Sequence, residues 1–184
     1  GGPDSNYDAK ERRRTYIEVL EAHGIEFDPG LYVEGNLTSE SKEVFRDILD
    51  RNPDMQGVFC VNDSCASGFY EELKARDILP GRDISVMGYD DIEWATQIYP
   101  TLSTVRADAG KLGSEAVNLM VRLIDGKQVE SKILPTEFIR RDSFCKKGGS
   151  RKRSKNVIEG YLSMNHMLSE QWEERNKTQF KMKT

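Results

Sequence analysis

The chain has 184 residues, 37% of them apolar and 32% charged, with a net charge of −4 and a pI near 5.4. This length suits one domain with its own core and a small appendage. The acidic balance argues against nucleic-acid binding by this piece alone, which would need a basic face, and no apolar run of about eighteen residues is present that could span a membrane.

The first third of the chain predicts two helices with a short strand between them. Residues 4–6 are all good N-caps for a helix over residues 7–23, which Gly24 would end. Residues 31–33 predict a short strand. Thr38 or Ser39 would then cap a second helix that ends at Arg51 and carries apolar residues along one face.

The middle of the chain contains two apolar runs, each ending in polar side chains. Residues 58–61 predict a strand buried on both faces, and Asp63 and Ser64 are candidate N-caps for a helix to residue 77. Residues 84–91, ISVMGYDD, repeat the pattern of a buried strand that ends in carboxylates. In open parallel sheets ligands bind outside the carboxyl ends of the strands, so these two ends predict a small-molecule site.

The alternation of helix and strand predicts the fold class. It is typical of an α/β protein with a Rossmann-like parallel sheet flanked by helices. Such a unit opens with a strand, whereas this chain opens at the loop that would follow one. We therefore expect a lobe that is truncated at its N-terminus.

The last third predicts two further strands and a helix, followed by a tail of different character. Residues 102–105 and 133–139 predict strands, and residues 108–125 predict a helix with an apolar stripe. Residues 146–156 form a basic linker. Residues 157–184 predict a helical tail, either a short coiled coil or a frayed amphipathic segment.

The spacing of the cysteines argues against a metal site, and the absence of the common catalytic motifs argues against an enzyme. Cys60, Cys65 and Cys145 lack metal-ligand spacing and are best explained as free thiols in a reducing compartment. The sequence contains no nucleophile elbow, no P-loop and no zinc-protease motif. We therefore predict a binding protein without a cofactor.

Four segments in a fixed order resemble the C-terminal half of the effector-binding core of LacI/GalR-type transcriptional regulators. Together they span roughly residues 2–144, and they include the strand-end pair ND, the run PGRDISVMGYDD, the run YPTLSTV and the triplet RDS. The resemblance implies a type I periplasmic-binding-protein-like fold of two lobes that close on a ligand. Residues 1–145 would supply most of the C-terminal lobe and return to the N-terminal lobe after Thr104.

The resemblance also implies the ligand-binding residues. Arg12 matches an arginine that reaches into the cleft, although Arg13 and Arg14 leave open which of the three faces inward. Asn62 matches a strand-end asparagine, and Asp90 matches an acceptor for ligand hydroxyls. Leu37 falls where relatives often place an aromatic residue that stacks on the ligand.

The function implied is sensing of a sugar or similar small polar ligand by a cytoplasmic regulator. Two alternatives stay open: a sensor module fused to a signalling domain, such as a diguanylate cyclase or a kinase, and a sugar-binding transport protein. The resemblance further implies a homo-oligomer with no membrane partner. DNA would be bound only through a headpiece absent from this chain, and this piece alone should not form a complete cleft.

Overall fold

A computed structural model describes residues 1–144 as an α/β fold. The linker over residues 146–156 and the helical tail over residues 157–184 lie outside this part of the chain. The helices are α1 (Tyr7–Ala22), α2 (Lys42–Arg51), α3 (Asp63–Ala75), α4 (Trp94–Gln97) and α5 (Ala109–Ile124). The strands are β1 (Gly57–Phe59), β2 (Ser85–Met87), β3 (Thr104–Ala107) and β4 (Thr136–Ile139), and a single 3₁₀ turn spans Pro29–Leu31.

The described strands form two pairs, a parallel pair followed by an antiparallel pair. β1 pairs with β2 in parallel, with Val58 opposite Val86. A parallel bridge between Met87 and Ser103 then leads to β3, which pairs with β4 in antiparallel register. The predicted α/β class is confirmed, and the carboxyl ends of β1 and β2 lie side by side as expected.

The core forms where α2 and α3 pack together beside β2. α2 buries Phe45, Ile48 and Leu49, which its helical spacing places on one face. The ring of Phe69 from α3 meets that of Phe45 edge to face, at 5.7 Å between centroids. Burying side chains of this size stabilises the fold by about 1.5–3 kcal/mol each. This packing fixes the position of α3 and of the loop at its start.

The predicted strand at residues 31–33 is wrong. Asp28 accepts a hydrogen bond from the Gly30 N–H, and Pro29 starts a 3₁₀ turn that ends at Leu31. The backbone that follows is extended, but its backbone hydrogen bonds to another segment of the described chain are two, both with Gly1, and these do not make a strand. The Gly1 amine donates to the Val33 carbonyl at 2.6 Å, and Gly35 N–H donates to the Gly1 carbonyl at 2.9 Å.

Two predicted helix caps are also wrong, each by one to three residues. The N-cap of α2 is Ser41, because the 36–41 segment first forms a tight turn around the Asn36 side chain. The N-cap of α3 is Asn62, whose side chain accepts from Cys65 N–H, so Asp63 is already helical. The N-cap predicted at Asp63 is therefore provided by Asn62.

The predicted apolar stripe on α5 faces outward in the described part of the chain. Asp108 caps this helix as expected, through a hydrogen bond from Lys111 N–H. No residue of α5 is buried, however, and Leu112 is 59% exposed. Among the described residues, no helix is both long enough and apolar enough to cross a bilayer.

Candidate ligand-binding site

Polar groups gather at the carboxyl ends of β1 and β2. β1 runs into Val61 and Asn62 at the start of α3, and β2 runs into a loop over residues 88–92. The Asp63 N–H donates to the Tyr89 carbonyl at 2.8 Å, which joins the two strand ends directly. α1 lies against this edge and contributes an arginine.

Arg12 is the arginine that faces the site. Its Nη1 donates to the Val61 carbonyl at 2.6 Å, and its Nη2 lies 3.8 Å from Asp90 Oδ1. Its Cζ lies 3.7 Å from the centroid of the Tyr89 ring, a cation–π contact that holds the planar guanidinium flat. Its side chain is 19% exposed, so this fork of donors is fixed yet still reachable from solvent.

The other two arginines of the run point elsewhere. Arg13 pairs with Asp4 at 3.1 Å and lies over the Tyr32 ring. Arg14 pairs with Glu11 and Glu18 along the surface of α1. Of the three consecutive arginines, Arg12 is therefore the one that lies at the polar edge.

Asn62 lies at the same edge, with its amide already engaged. Its oxygen accepts from Cys65 N–H at 2.8 Å, and its nitrogen donates to the Leu37 carbonyl at 3.1 Å. The side chain is only half-buried. An amide carries two N–H donors, so one donor stays available to a ligand beyond these two structural bonds.

We predict that Asn62→Ala lowers the free energy of unfolding by about 1–2 kcal/mol, because a helix cap and a tie to Leu37 are lost together. Asn62→Ser is the matched control. A serine is a preferred N-cap and places no charge against the Leu37 carbonyl, so its cost should be clearly smaller. Urea unfolding followed by circular dichroism measures both, and equal losses would show that the cap contributes nothing.

Asp90 reaches the site from a strained position. Its φ is +111°, rare for a residue with a side chain, and its N–H donates to the Val105 carbonyl at 2.8 Å. Its side chain is 44% exposed. Burial raises the pKa of Asp90 against the opposing effect of Arg12. Because the side chain is partly exposed, its carboxylate oxygens can accept from ligand hydroxyls beside the Arg12 donors.

Leu37 joins the site through its backbone. Its carbonyl accepts from Asn62, and its φ is +66°. Its side chain packs against the core and beside Gly2, where an added Cβ would lie 2.2 Å from Leu37 Cδ2. The structure gives the side chain a packing role at this edge, and the stacking role stays a prediction.

Asp91 braces the loop. Its two oxygens accept from Arg141 Nη2 and from Arg106 Nε, each at 2.6 Å. Arg141 also donates to the Leu102 carbonyl, which ties the loop to the segment that follows β4 and to the segment that precedes β3. Sequence reasoning missed Tyr89 as the platform for Arg12, although its place between Gly88 and Asp90 was a usable signal.

An apolar cavity borders this polar edge, between α1 and β1. Its volume is about 880 Å³, and its walls include Phe27, Leu31, Val44 and Phe59. Arg12 and Val61 line it as well. Apolar walls give a sugar few hydrogen-bond partners, so the polar edge is the better candidate for a polar ligand.

The described residues include no cluster of side chains that could hold a metal ion. Cys60 and Cys65 are buried and free, as the sequence predicts. Burial raises the pKa of Cys65 to about 11 and raises that of Cys60 as well. Neither thiol is therefore a reactive thiolate near neutral pH.

The fold and the site define a ligand-binding lobe of α/β type with a polar edge. The family model described as "Periplasmic binding protein-like domain" matches residues 1–144. The chain belongs to this family, and its resemblance to the effector-binding domains of LacI/GalR-type regulators is confirmed.

Individual relatives agree with this assignment. The chain is similar to the HTH-type transcriptional regulator CelR of Thermobifida fusca, at 32% identity over 77% of this chain and 43% of the relative. It is similar to the HTH-type transcriptional repressor PurR of Vibrio atlanticus (strain LGP32), at 32% identity over 67% of this chain and 37% of the relative. The solved complex of CelR with cellobiose matches with a TM-score of 0.72 and 32% identity, over 78% of this chain and 45% of that one. The chain thus spans about two fifths of the length of these curated relatives.

Proposed function

We propose that this chain senses a sugar or a similar small polar ligand for a LacI-type transcriptional regulator. The observation that carries the proposal is the placement of Arg12 beside Asp90 at the ends of two parallel strands. A rigid donor fork next to a carboxylate offers a sugar both of the partners that its hydroxyls need. The relative whose structure contains cellobiose supports the same ligand class.

The physical basis of sensing is differential binding. A ligand shifts a conformational equilibrium only as far as its affinities for the two states differ. At this site the contacts come from α1 and from the ends of two strands, and Asp90 is bonded to β3 through Val105. A ligand held by Arg12 and Asp90 would therefore bias the position of β3, and a shift in β3 would move α5, which follows it in the chain.

The rest of the proposal concerns assembly and partners. We infer that the protein works in the cytoplasm as a homo-oligomer. It would reach DNA through a headpiece that lies outside this chain, and no enzymatic step is part of its role. The absence of catalytic motifs in the sequence supports the last point.

The test is thermal unfolding of the chain with cellobiose. Because a ligand that binds only the folded state stabilises it, ten times the Kd should add about 1.4 kcal/mol to the free energy of unfolding. Asp90→Asn should remove most of this gain, since an amide oxygen is a weaker acceptor than a carboxylate beside Arg12.

The matched control is Asp125→Asn, which removes an exposed carboxylate paired with Lys127 at the end of α5. It should respond to the sugar as the wild type does. Equal sugar responses in wild type and Asp90→Asn would remove Asp90 from the site. Because this piece alone should not form a complete cleft, we expect weak binding with a millimolar Kd, and tight binding by this chain alone would contradict the two-lobe arrangement.

A further inference from the structure

A buried carboxylate lies directly behind the candidate site. Asp63 is the first residue of α3 and is 0% exposed. Its Oδ1 accepts from Thr104 Oγ1 at 2.6 Å, and its Oδ2 accepts from Ile92 N–H at 3.0 Å. None of the described residues forms an ion pair with Asp63, and a buried charge without one is costly, so its two hydrogen bonds decide whether it stays ionised.

Asp63 forms hydrogen bonds with both ends of the loop that carries Asp90. Its backbone N–H donates to the Tyr89 carbonyl at 2.8 Å, and its side chain accepts from Ile92 N–H. Asp90 and Asp91, the two residues between these anchors, both have positive φ values, of +111° and +56°. Such a conformation persists only where the surrounding contacts hold it.

The backbone around Asp63 is shaped to admit the carboxylate. A Cβ on Gly88 would lie 2.0 Å from Asp63 Oδ1, so glycine is the residue that leaves room for this oxygen. Thr104 holds the same oxygen to the start of β3. The carboxylate therefore joins the start of α3, the 89–92 loop and β3 at one point.

We propose that Asp63 is a positioning residue for the candidate ligand site, and that its carboxylate holds the 89–92 loop so that Asp90 stands beside Arg12. This rests on the proposed function in one respect, that Asp90 is the ligand acceptor. Asp63 does not itself touch the ligand. It acts through the loop.

The ionisation of Asp63 provides a direct readout. Burial raises the pKa of Asp63 to about 6, with smaller raising effects from Asp90 and Asp91 in the loop, while the bonds from Thr104 and Ile92 lower it. The Cys60 thiol and the Tyr70 hydroxyl are also coupled to it, and both stay neutral near pH 6 because burial raises their pKa. Protonation of Asp63 as the pH falls would weaken the acceptor that Ile92 N–H uses.

The experiment is a pH titration of the isotope-labelled 184-residue chain by NMR, without ligand. We expect the Asp63 Cγ and Ile92 N–H resonances to share a midpoint near pH 6. In Asp63→Asn the Ile92 N–H should lose this inflection, because an amide at this position does not titrate, while its oxygen can still accept from Ile92 N–H and its nitrogen can donate to Thr104 Oγ1. The Asp90 Cγ resonance should change its own midpoint in the same variant.

Asp83→Asn is the matched control, since Asp83 also accepts a backbone N–H, from Leu79 at 2.8 Å, in an exposed turn. It should leave the Ile92 titration unchanged. An Ile92 N–H without an inflection in the wild type, or one that keeps it in Asp63→Asn, would overturn the proposal. Because no sugar is present, a failure here is distinct from a failure of the proposed ligand class. The wild-type titration decides the matter even where the variant does not fold.

Discussion

Replacing Asp91 with Ala is expected to lower the free energy of unfolding by about 3 kcal/mol, because it breaks a buried ion pair on one side only. The Asp91 side chain is 7% exposed, and that of Arg141 is 14% exposed. Without Asp91, Arg141 would keep its bond to the Leu102 carbonyl but lose its counter-charge. Arg106 is more exposed and can turn to solvent, so its share of the loss is small.

The same pair gives the fold an acid dependence of known sign. Burial raises the pKa of Asp91, but hydrogen bonds and charge from Arg141 and Arg106 outweigh this effect and bring it below its ordinary value. A lowered pKa means that the stabilisation is present above the pKa of the unfolded chain. It is lost as the pH falls through the lower pKa of the folded state.

Urea unfolding at pH 7 and at pH 3 tests both statements. When the pH is lowered between these values, Asp91→Ala should lose less stability than the wild type, since the group that titrates is gone, while the raised pKa of Asp63 acts with the opposite sign in both proteins. Lys127→Ala is the control, because its ion pair with Asp125 is exposed at both ends and should change stability by under about 0.5 kcal/mol. A loss for Asp91→Ala no larger than for this control would refute the bracing role.

Gly81→Ala is expected to cost about 3 kcal/mol, through two separate effects. The φ of Gly81 is +78°, a conformation that costs a residue with a side chain about 1 kcal/mol. An added Cβ would also lie 1.8 Å from the Asp142 carbonyl oxygen, and relief of that overlap requires backbone movement. The turn after α3 and the segment after β4 would have to separate.

Gly24→Ala separates the two effects. Its φ is +69°, but nothing lies within 4 Å of the added Cβ. It should therefore cost only about 1 kcal/mol, from the backbone alone. Thermal unfolding of both variants measures the difference, and equal costs would mean that the Asp142 contact is relieved without loss.

The site was predictable from sequence because a simple rule covers it. Polar residues at the ends of two neighbouring parallel strands must lie close together, so the ends of the runs over residues 58–61 and 84–91 predicted one polar edge. The ligand-binding roles of Asn62 and Asp90 came from the family resemblance and stay predictions. Arg12 came from the family resemblance, since three consecutive arginines on a helix look alike in sequence. Only the Tyr89 ring and the Val61 carbonyl single out Arg12.

What could not be predicted depends on contacts between distant segments. Asp63 followed by a helix indicates a cap, and only the approach of Gly88 and Thr104 shows it to be a buried anchor. The strand predicted at residues 31–33 had suitable side chains, but a strand also needs a partner. In the described chain, the segment after residue 31 forms backbone hydrogen bonds with Gly1 and has no partner strand.

The measurement that tests the central claim most directly is NMR mapping of sugar binding on the labelled chain. With cellobiose raised to about 10 mM, enough to detect a millimolar Kd, the account predicts shift changes at the Arg12 guanidinium, the Asn62 side-chain amide and the backbone of Tyr89 and Asp90. Changes confined to the apolar cavity around Phe27 would contradict it.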